Sequence, residues 1–488
     1  MTLTPAQLDR ACGVLLATAA GDALGAGYEF GPPLPGDTAI HMAGGGSFGW
    51  EPGEWTDDTA MAIAIAETAA SSADLRDTTA QDQVVSRWEE WAGTAKDVGS
   101  QTRHVLGRVA GGGAAAARAA SADLHRRTGK TAGNGALMRT APVALAFLDD
   151  PEELAEAARQ LSALTHFDPE AGEACALWCL AIRHAVLTGD LDVRVGLPYL
   201  PADLQRAWSQ RLGAAERSRP ADFTRNGWVV EALQAAWSAI ATTPVPADDP
   251  VAGSFRADHL RLSLENAVRG GRDTDTVAAI AGGLLGARWG ASAVPAAWRL
   301  QLHGWPASTT HDLIGLTGRI IRGGKPDPFD FSYSGRQFGQ PVVPHPYDRG
   351  LLLGDLSALR DLPAGVDAVV SLCRVGPQDA PKVGEWIEVR LIDHNGAEYN
   401  PHLDFVLNDT VTAIERIRSA GRTVLVHCVE ARSRTPVVAA LYGMRRRAVK
   451  PDQMLADLRH VLPLADPITN FRAALERFTA PSDAGPGR

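Results

Sequence analysis

GEWTDDTAM, residues 53–61, runs directly into AMAIAIAETAA, residues 60–70. The second stretch is apolar almost all round, the pattern of a helix buried on every side. Thr56, Asp57 and Asp58 stand immediately before it. One acidic residue there suits a helix N-terminus, where it accepts from free N–H groups and meets the positive end of the dipole. Two adjacent carboxylates repel each other, so the second needs another reason, and a bound cation is the simplest. The same arrangement returns in GGRDTDTVAAIAGG, residues 270–283, where Asp273, Asp275 and Thr276 precede another apolar run. Two apart, Asp273 and Asp275 project to one side of an extended segment. Hard oxygen ligands of this kind suit Mg²⁺ or Mn²⁺ rather than zinc.

Around these two clusters the chain reads as helical. Pro151–Leu164, Glu170–Leu187, Trp228–Ala241 and Val277–Trp289 carry helical periodicity, and period-2 alternation is scarce, so residues 1–325 are expected to form an all-α domain. Gly111–Ala120 reads as a loop or helix start. The texture changes near residue 325, where Gly, Pro, Ser and aromatics crowd together and mark a linker over 326–345. From 346 to 480, strand-like runs at Leu351–Leu353, Ala368–Leu372, Trp386–Leu391 and Thr423–Val426 alternate with helical runs at Asn408–Ser419 and Thr435–Arg447. That alternation predicts an α/β domain with a mostly parallel sheet. Residues 481–488 read as a disordered tail.

A chain of 488 residues favours more than one domain, and 45% hydrophobic with 21% charged residues is a globular composition. The formal net charge of −10 argues against extended nucleic-acid binding or an anionic membrane surface. The apolar run Ala11–Ala20 is short for a bilayer and lacks a basic leader, so a cytoplasmic protein is expected. The five cysteines are odd in number and scattered, which fits a reducing compartment; Cys175 and Cys179, four apart, read as small core residues.

GDALG (21–25), Tyr28-Glu29-Phe30, WTDDT (55–59), GNGALMR (133–139), LTHFDP (164–169) and DTDT (273–276) together resemble the ADP-ribosylglycohydrolases, in that family's order, over roughly residues 10–320. The resemblance implies an all-helical domain holding two divalent cations, Mg²⁺ or Mn²⁺, in a central cleft. It implies Thr56, Asp57, Asp58, Asp273, Asp275 and Thr276 as metal ligands and Glu29 as a mobile acidic residue over the centre. Gly133, Asn134 and Gly135 would approach the ribose and pyrophosphate, and His166 the nucleotide. Arg139 would meet a phosphate or brace carboxylates, and Asp22 would be structural or support the ligands from behind. Arg272 departs from the family, many of whose members have Gly there.

The second constellation is VLVHCVEARSRTP, residues 424–436. An apolar strand runs into His427-Cys428, a short loop ends at Arg434-Thr435, and an apolar helix follows. That geometry aims loop N–H groups and a helix N-terminus at one point, where an anion binds and a Cys428 thiolate is stabilised as a nucleophile. Arg434 would hold phosphate oxygens in bidentate fashion. The stretch is similar to the H-C-x-x-G-x-x-R-[ST] signature of the tyrosine and dual-specificity phosphatases, a resemblance that covers roughly residues 340–475. It implies Asp393, 35 residues before Cys428, as general acid and Thr435 as the hydroxyl assisting the leaving thiolate. Ala431 departs from the signature's Gly; if that position takes positive φ, alanine costs about 1 kcal/mol or somewhat more.

The expected function is a metal-dependent hydrolase that removes ADP-ribose from a modified protein, nucleic acid or small molecule, joined to a cysteine-dependent phosphatase acting on a phosphorylated substrate. Two other readings stay open: a C-terminal domain that only binds phosphate, and a non-catalytic ADP-ribose-binding scaffold.

Overall fold

Thr4 and Gln7 cap each other reciprocally and launch a 21-residue helix, Pro5–Gly25, whose residues from Ala11 onward are all buried. The computed structural model describes residues 2–325, 333 and 339–479. Most of the expected linker 326–345 and the tail 481–488 lie outside the described residues. This first helix extends well beyond the ten apolar residues expected. By length and composition it is long enough to cross a bilayer, yet it is a core helix, with 89% of its apolar window buried.

The chain divides into two compact units. One comprises Met1–Pro244, His259–Val294 and Gln301–Asp327, the other Val245–Asp258, Pro295–Leu300 and Pro328–Arg488. Two short segments inside the expected N-terminal range, 245–258 and 295–300, thus group with the C-terminal unit.

The first unit is helical throughout except for a hairpin of His303–Gly304 with Ser308–Thr309. Its helices include Asp57–Ala69, Thr78–Ala92, Pro151–Ala163, Pro169–Thr188, Val229–Ala241 and Thr274–Trp289. Gly111–Ala120 resolves into the start of a helix, Gly113–Thr128. The core is the backbone-to-backbone contact of Pro5–Gly25 with Thr274–Trp289. A Cβ on Gly21 would stand 2.1 Å from the carbonyl oxygen of Ala278, and one on Gly25 would stand 2.5 Å from the N and Cα of Asp275. No larger side chain lets these helices meet so closely. The contact carries GDALG up to DTDT, which is how motifs far apart in the chain become neighbours.

The acidic clusters sit one turn further in than the sequence suggested. Asp57 and Asp58 belong to the first turn of Asp57–Ala69, with Thr56 at the N-cap. Asp273 is the N-cap of Thr274–Trp289, and Asp275 and Thr276 lie on its first turn instead of in an extended segment.

The second unit holds a five-stranded sheet in the order Val343–His345, Asp348–Gly354, Val424–His427, Ala368–Ser371, Glu385–Glu388. The first pair is antiparallel and the other three are parallel. Val343–His345, placed in the linker by the sequence reading, is an edge strand, where Pro344 is tolerated. The helices Leu403–Ser419 and Arg434–Arg447 complete the α/β arrangement. Behind the edge strand, Asp348 accepts from Arg418 Nη2 and Nε at 2.8 and 2.9 Å, from Tyr442 Oη at 2.6 Å and from the Gly350 N–H at 3.0 Å. Burial pushes this carboxyl up, but Arg418, Tyr442 and Gly350 outweigh it and hold it well below the usual aspartate range. Its contribution is therefore present above the unfolded carboxylate pKa and is lost only as pH falls through the depressed folded value. Asp348→Ala, which strands Arg418, is expected to cost about 3 kcal/mol in urea unfolding of the C-terminal unit at pH 7, with the difference shrinking toward pH 2.

Candidate functional site

Neither N-cap side chain caps its helix, although Asp275 Oδ1 takes the Thr276 N–H at 2.9 Å. Thr56 and Asp273 occupy N-cap positions, but neither side chain accepts from the turn that follows. Asp22, from GDALG, does that work for the first cluster, taking the Thr56 N–H at 2.9 Å, the Thr59 N–H at 2.9 Å and the Thr59 hydroxyl at 2.6 Å. Thr56 is thereby freed to turn inward. Its hydroxyl lies 3.1 Å from Asp58 Oδ2 and 3.5 Å from Asp275 Oδ2, and that of Thr276 lies 3.4 Å from Asp58 Oδ2.

Two groups of carboxylates result, each offering oxygens within 4.8 Å of one another: Asp22, Asp58 and Asp275, and Glu29, Asp273 and Asp275. Asp275 belongs to both. Asp57 lies outside both groups, its Oδ1 3.4 Å from the Thr56 hydroxyl. Asp58 Oδ1 is fully buried with no hydrogen-bond partner. A buried, unpaired carboxylate oxygen is costly, and a cation is the partner it lacks. Burial, then the neighbouring aspartates, push Asp58 and Asp275 well above the aspartate range. Burial and then Asp97, Asp22 and Asp273 raise Asp57 to about 7. Burial and then Asp273 and Asp57 raise Glu29 to about 9. So many carboxylates share one place that they cannot all ionise without positive charge among them. The donor set, oxygen throughout, fits hard divalent cations.

The Gly133–Gly135 segment borders this centre. Asn134 Nδ2 donates to Asp273 Oδ2 at 2.7 Å and to the Asn226 carbonyl at 2.9 Å, so its amide fixes the Asp273 carboxylate. Asn226 in turn donates to the Gly271 carbonyl at 3.1 Å, and it was not anticipated from sequence. His166 packs on the same segment: a Cβ at Gly135 would stand 3.1 Å from its Nε2 and one at Gly133 3.3 Å. Arg139 meets no carboxylate. It is 1% exposed, stacked 3.9 Å over Trp88, and donates to Thr165 Oγ1 at 2.6 Å.

In the C-terminal unit the loop after Val424–His427 has its carbonyls held from outside. Leu356 N–H donates to Val429 at 3.3 Å, Gln340 Nε2 to Glu430 at 2.8 Å and Asp466 N–H to Arg432 at 2.7 Å. Among the described residues no backbone N–H from Val429 to Ser433 donates. Peptide groups pinned by their carbonyls present their N–H ends to the other side, a nest for an anion. Cys428 is buried at the start of this loop. Arg434 Nη1 donates to the Leu372 and Leu391 carbonyls at 3.1 and 3.3 Å, while its Nε is buried without a partner. Asp393 accepts from the Ser433 hydroxyl at 2.7 Å and lies 3.9 Å from Arg434 Nε. The Thr435 hydroxyl is 3.5 Å from the Gly354 carbonyl. The four residues named from the sequence, Cys428, Arg434, Asp393 and Thr435, therefore gather about one loop.

The family model for the ADP-ribosylglycohydrolases matches residues 3–327. The chain belongs to the ADP-ribosylglycohydrolase family. Among relatives, it is 31% identical over 312 residues to ADP-ribosylarginine hydrolase Tri1 of Pseudomonas putida (strain GB-1), covering 61% of this chain and 75% of that protein. It is 30% identical over 311 residues to the ADP-ribosyl-[dinitrogen reductase] glycohydrolase of Rhodospirillum rubrum, covering 61% of this chain and 92% of that one. The C-terminal part is similar to dual specificity phosphatase 28 of Mus musculus, with 29% identity over 146 residues, 28% of this chain and 86% of the relative. This ADP-ribosylglycohydrolase thus carries a phosphatase-like domain after its helical one.

Both departures from the family patterns prove to be backbone matters. Arg272 takes φ +66° and Ala431 φ +50°, the left-handed region where glycine is at ease. Arg272 is anchored there by its N–H to the Gly31 carbonyl at 2.7 Å, with Phe30 N–H returning to its own carbonyl at 2.6 Å. The phosphatase-like loop keeps the left-handed turn at Ala431 despite the methyl. Relief of about 1–2 kcal/mol of αL strain outweighs the roughly 0.8 kcal/mol of one buried methyl. Ala431→Gly is thus expected to stabilise the unit by about 0.5 kcal/mol in chemical denaturation; a loss would mean that packing of the methyl dominates.

Proposed function

We propose that the helical unit hydrolyses the glycosidic bond of ADP-ribose attached to protein arginine, using divalent cations at Asp22, Asp58, Asp275, Asp273 and Glu29. The observation that carries this is the partnerless Asp58 oxygen inside a ring of carboxylates. The two bacterial relatives, named for ADP-ribosylarginine and for ADP-ribosyl-dinitrogen reductase, support the linkage. Divalent cations bound there supply a fixed seat for vicinal ribose hydroxyls and lower the pKa of an attacking water. Glu29, a partly buried member of this set, is the group suited to take a proton from the attacking water or give one to the departing nitrogen. The Gly133–Gly135 backbone, kept in register by Asn134 and Asp273, lines the approach.

Release of free ADP-ribose from an ADP-ribosylarginine protein, measured with Mg²⁺, with Mn²⁺ and with chelator, tests this reading. Metal-dependent release supports it. No release by folded, metal-loaded protein overturns it in favour of an ADP-ribose-binding scaffold.

For the C-terminal unit we propose phosphomonoester hydrolysis with Cys428 as nucleophile, Arg434 as phosphate fork through Nε and Nη2, Asp393 as general acid and Thr435 assisting the leaving thiolate. With Nη1 spent on two carbonyls, Nε makes no hydrogen bond and has only Asp393 at 3.9 Å, so it is the edge left for an anion. Hydrolysis of p-nitrophenyl phosphate is expected to vanish in Cys428→Ser and to fall about 100-fold in Asp393→Asn. Phosphate binding without turnover in the wild type would instead mark a recognition module.

A further inference from the structure

Thr165 lies between a group that only donates and a group that does either. Its hydroxyl oxygen receives Arg139 Nη2 at 2.6 Å, and the Nδ1 of His166 stands 2.8 Å from the same oxygen. Arginine has no acceptor and keeps its protons, so the direction of the first bond is set. Thr165 is 0% exposed. Among the described residues the one acceptor within reach of that hydrogen is His166 Nδ1. Were Nδ1 protonated instead, the threonine would accept twice and its own proton would be stranded in the core, which buried groups avoid. The chain of donation therefore runs from Arg139 through Thr165 to His166 Nδ1 and leaves the ring's proton on Nε2.

That Nε2–H makes no hydrogen bond among the described residues, and His166 keeps 3% of its surface open. It lies against Gly133 and Gly135, where added Cβ atoms would come within 3.3 and 3.1 Å of it. The intervening Asn134 holds Asp273 of the acidic centre. We propose that Arg139 and Thr165 are positioning residues that hold His166 as a neutral Nε2–H donor, aimed at an acceptor oxygen of ADP-ribose lying over Gly133–Gly135. The ligand half of this inference rests on the hydrolase reading above; the tautomer half does not. Burial first, and then the nearby Arg139 charge, push the imidazole down to about 3, so the donor keeps one proton across the physiological range. A buried arginine without a carboxylate, held on Trp88, acquires a purpose in this arrangement: its charge keeps the ring neutral while its hydrogen bond fixes which nitrogen is bare.

The test is nitrogen NMR of the full-length protein labelled at histidine, with His166 assigned by the signal lost in His166→Gln. It is combined with the affinity for ADP-ribose in wild type, Thr165→Val and Thr165→Ser. In the wild type Nδ1 is expected to be bare and Nε2 protonated, without change from pH 5 to 8. Thr165→Val removes the donor and keeps the shape; it should give a mixture of tautomers and a roughly tenfold weaker affinity, and Thr165→Ser should restore both. A protonated Nδ1 in the wild type overturns the inference whatever the variants do. So does a valine variant that alters neither tautomer nor affinity. If the tautomer is as stated but ADP-ribose binds none of the proteins, the hydrolase reading and the ligand half fail together, while the relay stands.

Discussion

Asp58→Asn is expected to lower metal-dependent release of ADP-ribose by at least about 100-fold, the loss that follows from disturbing even the outer partners of metal ligands. In the presence of chelator it should also raise the thermal midpoint of the helical unit. The two signs come from one fact. Asp58 Oδ1 is buried with no partner, and Oδ2 meets only the Thr56 and Thr276 hydroxyls at 3.1 and 3.4 Å. Without a cation this carboxyl is a liability, as the upward push on its pKa from burial and from Asp22 and Asp57 records. An amide of the same shape removes the repulsion, so a gain of about 1 kcal/mol is expected, the usual trade of activity against stability at a built site. Asp22→Asn should instead lose stability together with activity. Asp22 accepts three hydrogen bonds that organise the first turn of the next helix, on both of its oxygens, and an amide keeps an acceptor on only one side, so a backbone N–H is left facing a donor. A cost of about 1–3 kcal/mol should appear with or without metal. Differential scanning in chelator and in Mg²⁺ separates the two: a fall in the midpoint of Asp58→Asn would show that the carboxyl serves the fold.

Gly25→Ala is the second large effect. Its methyl would sit 2.5 Å from the backbone N and Cα of Asp275, where no flexible side chain can yield. The first helix or the start of Thr274–Trp289 must move, at about 3 kcal/mol, the upper part of the range for an overpacked core. Because the atoms displaced belong to the residue shared by both carboxylate groups, metal affinity should fall with stability. Urea unfolding and Mg²⁺ titration of the same sample check both. A variant that unfolds like the wild type would contradict the backbone-to-backbone packing of these helices.

The motifs were legible because each one combines chemistry with a backbone demand. GDALG contains two glycines that admit Ala278 and Asp275 and an aspartate that organises WTDDT, so its spacing reflects one helix face. The carboxylate repetition in WTDDT and DTDT pointed to a cation, while their helical placement was misjudged by a turn, since a cap and a first-turn ligand look alike in sequence. Asn226 left no signal, since it works through hydrogen bonds with Asn134 and Gly271, both remote in sequence, and Thr165, although inside LTHFDP, gave no sign of its bonds to Arg139 and His166. Arg139 offered two explanations from sequence, and the structure supports neither, placing it on Trp88 and Thr165. The strand Val343–His345 was hidden by Pro344 and the loop-like composition around it. The segments 245–258 and 295–300 group with the other unit through contacts such as Phe255 on Phe405, ring centroids 5.9 Å apart, which no linear reading contains. At Ala431 the sequence posed the right conditional question, and the φ of +50° answers it.

The account turns on whether the carboxylates of the helical unit hold divalent ions. Calorimetric titration of Mg²⁺ into chelator-stripped protein, wild type against Asp275→Asn, is the most direct measurement. Saturable binding in the wild type that is lost in the variant is the predicted result, because Asp275 serves both groups. Absence of binding in the folded wild type, or binding that survives the substitution unchanged, would contradict it.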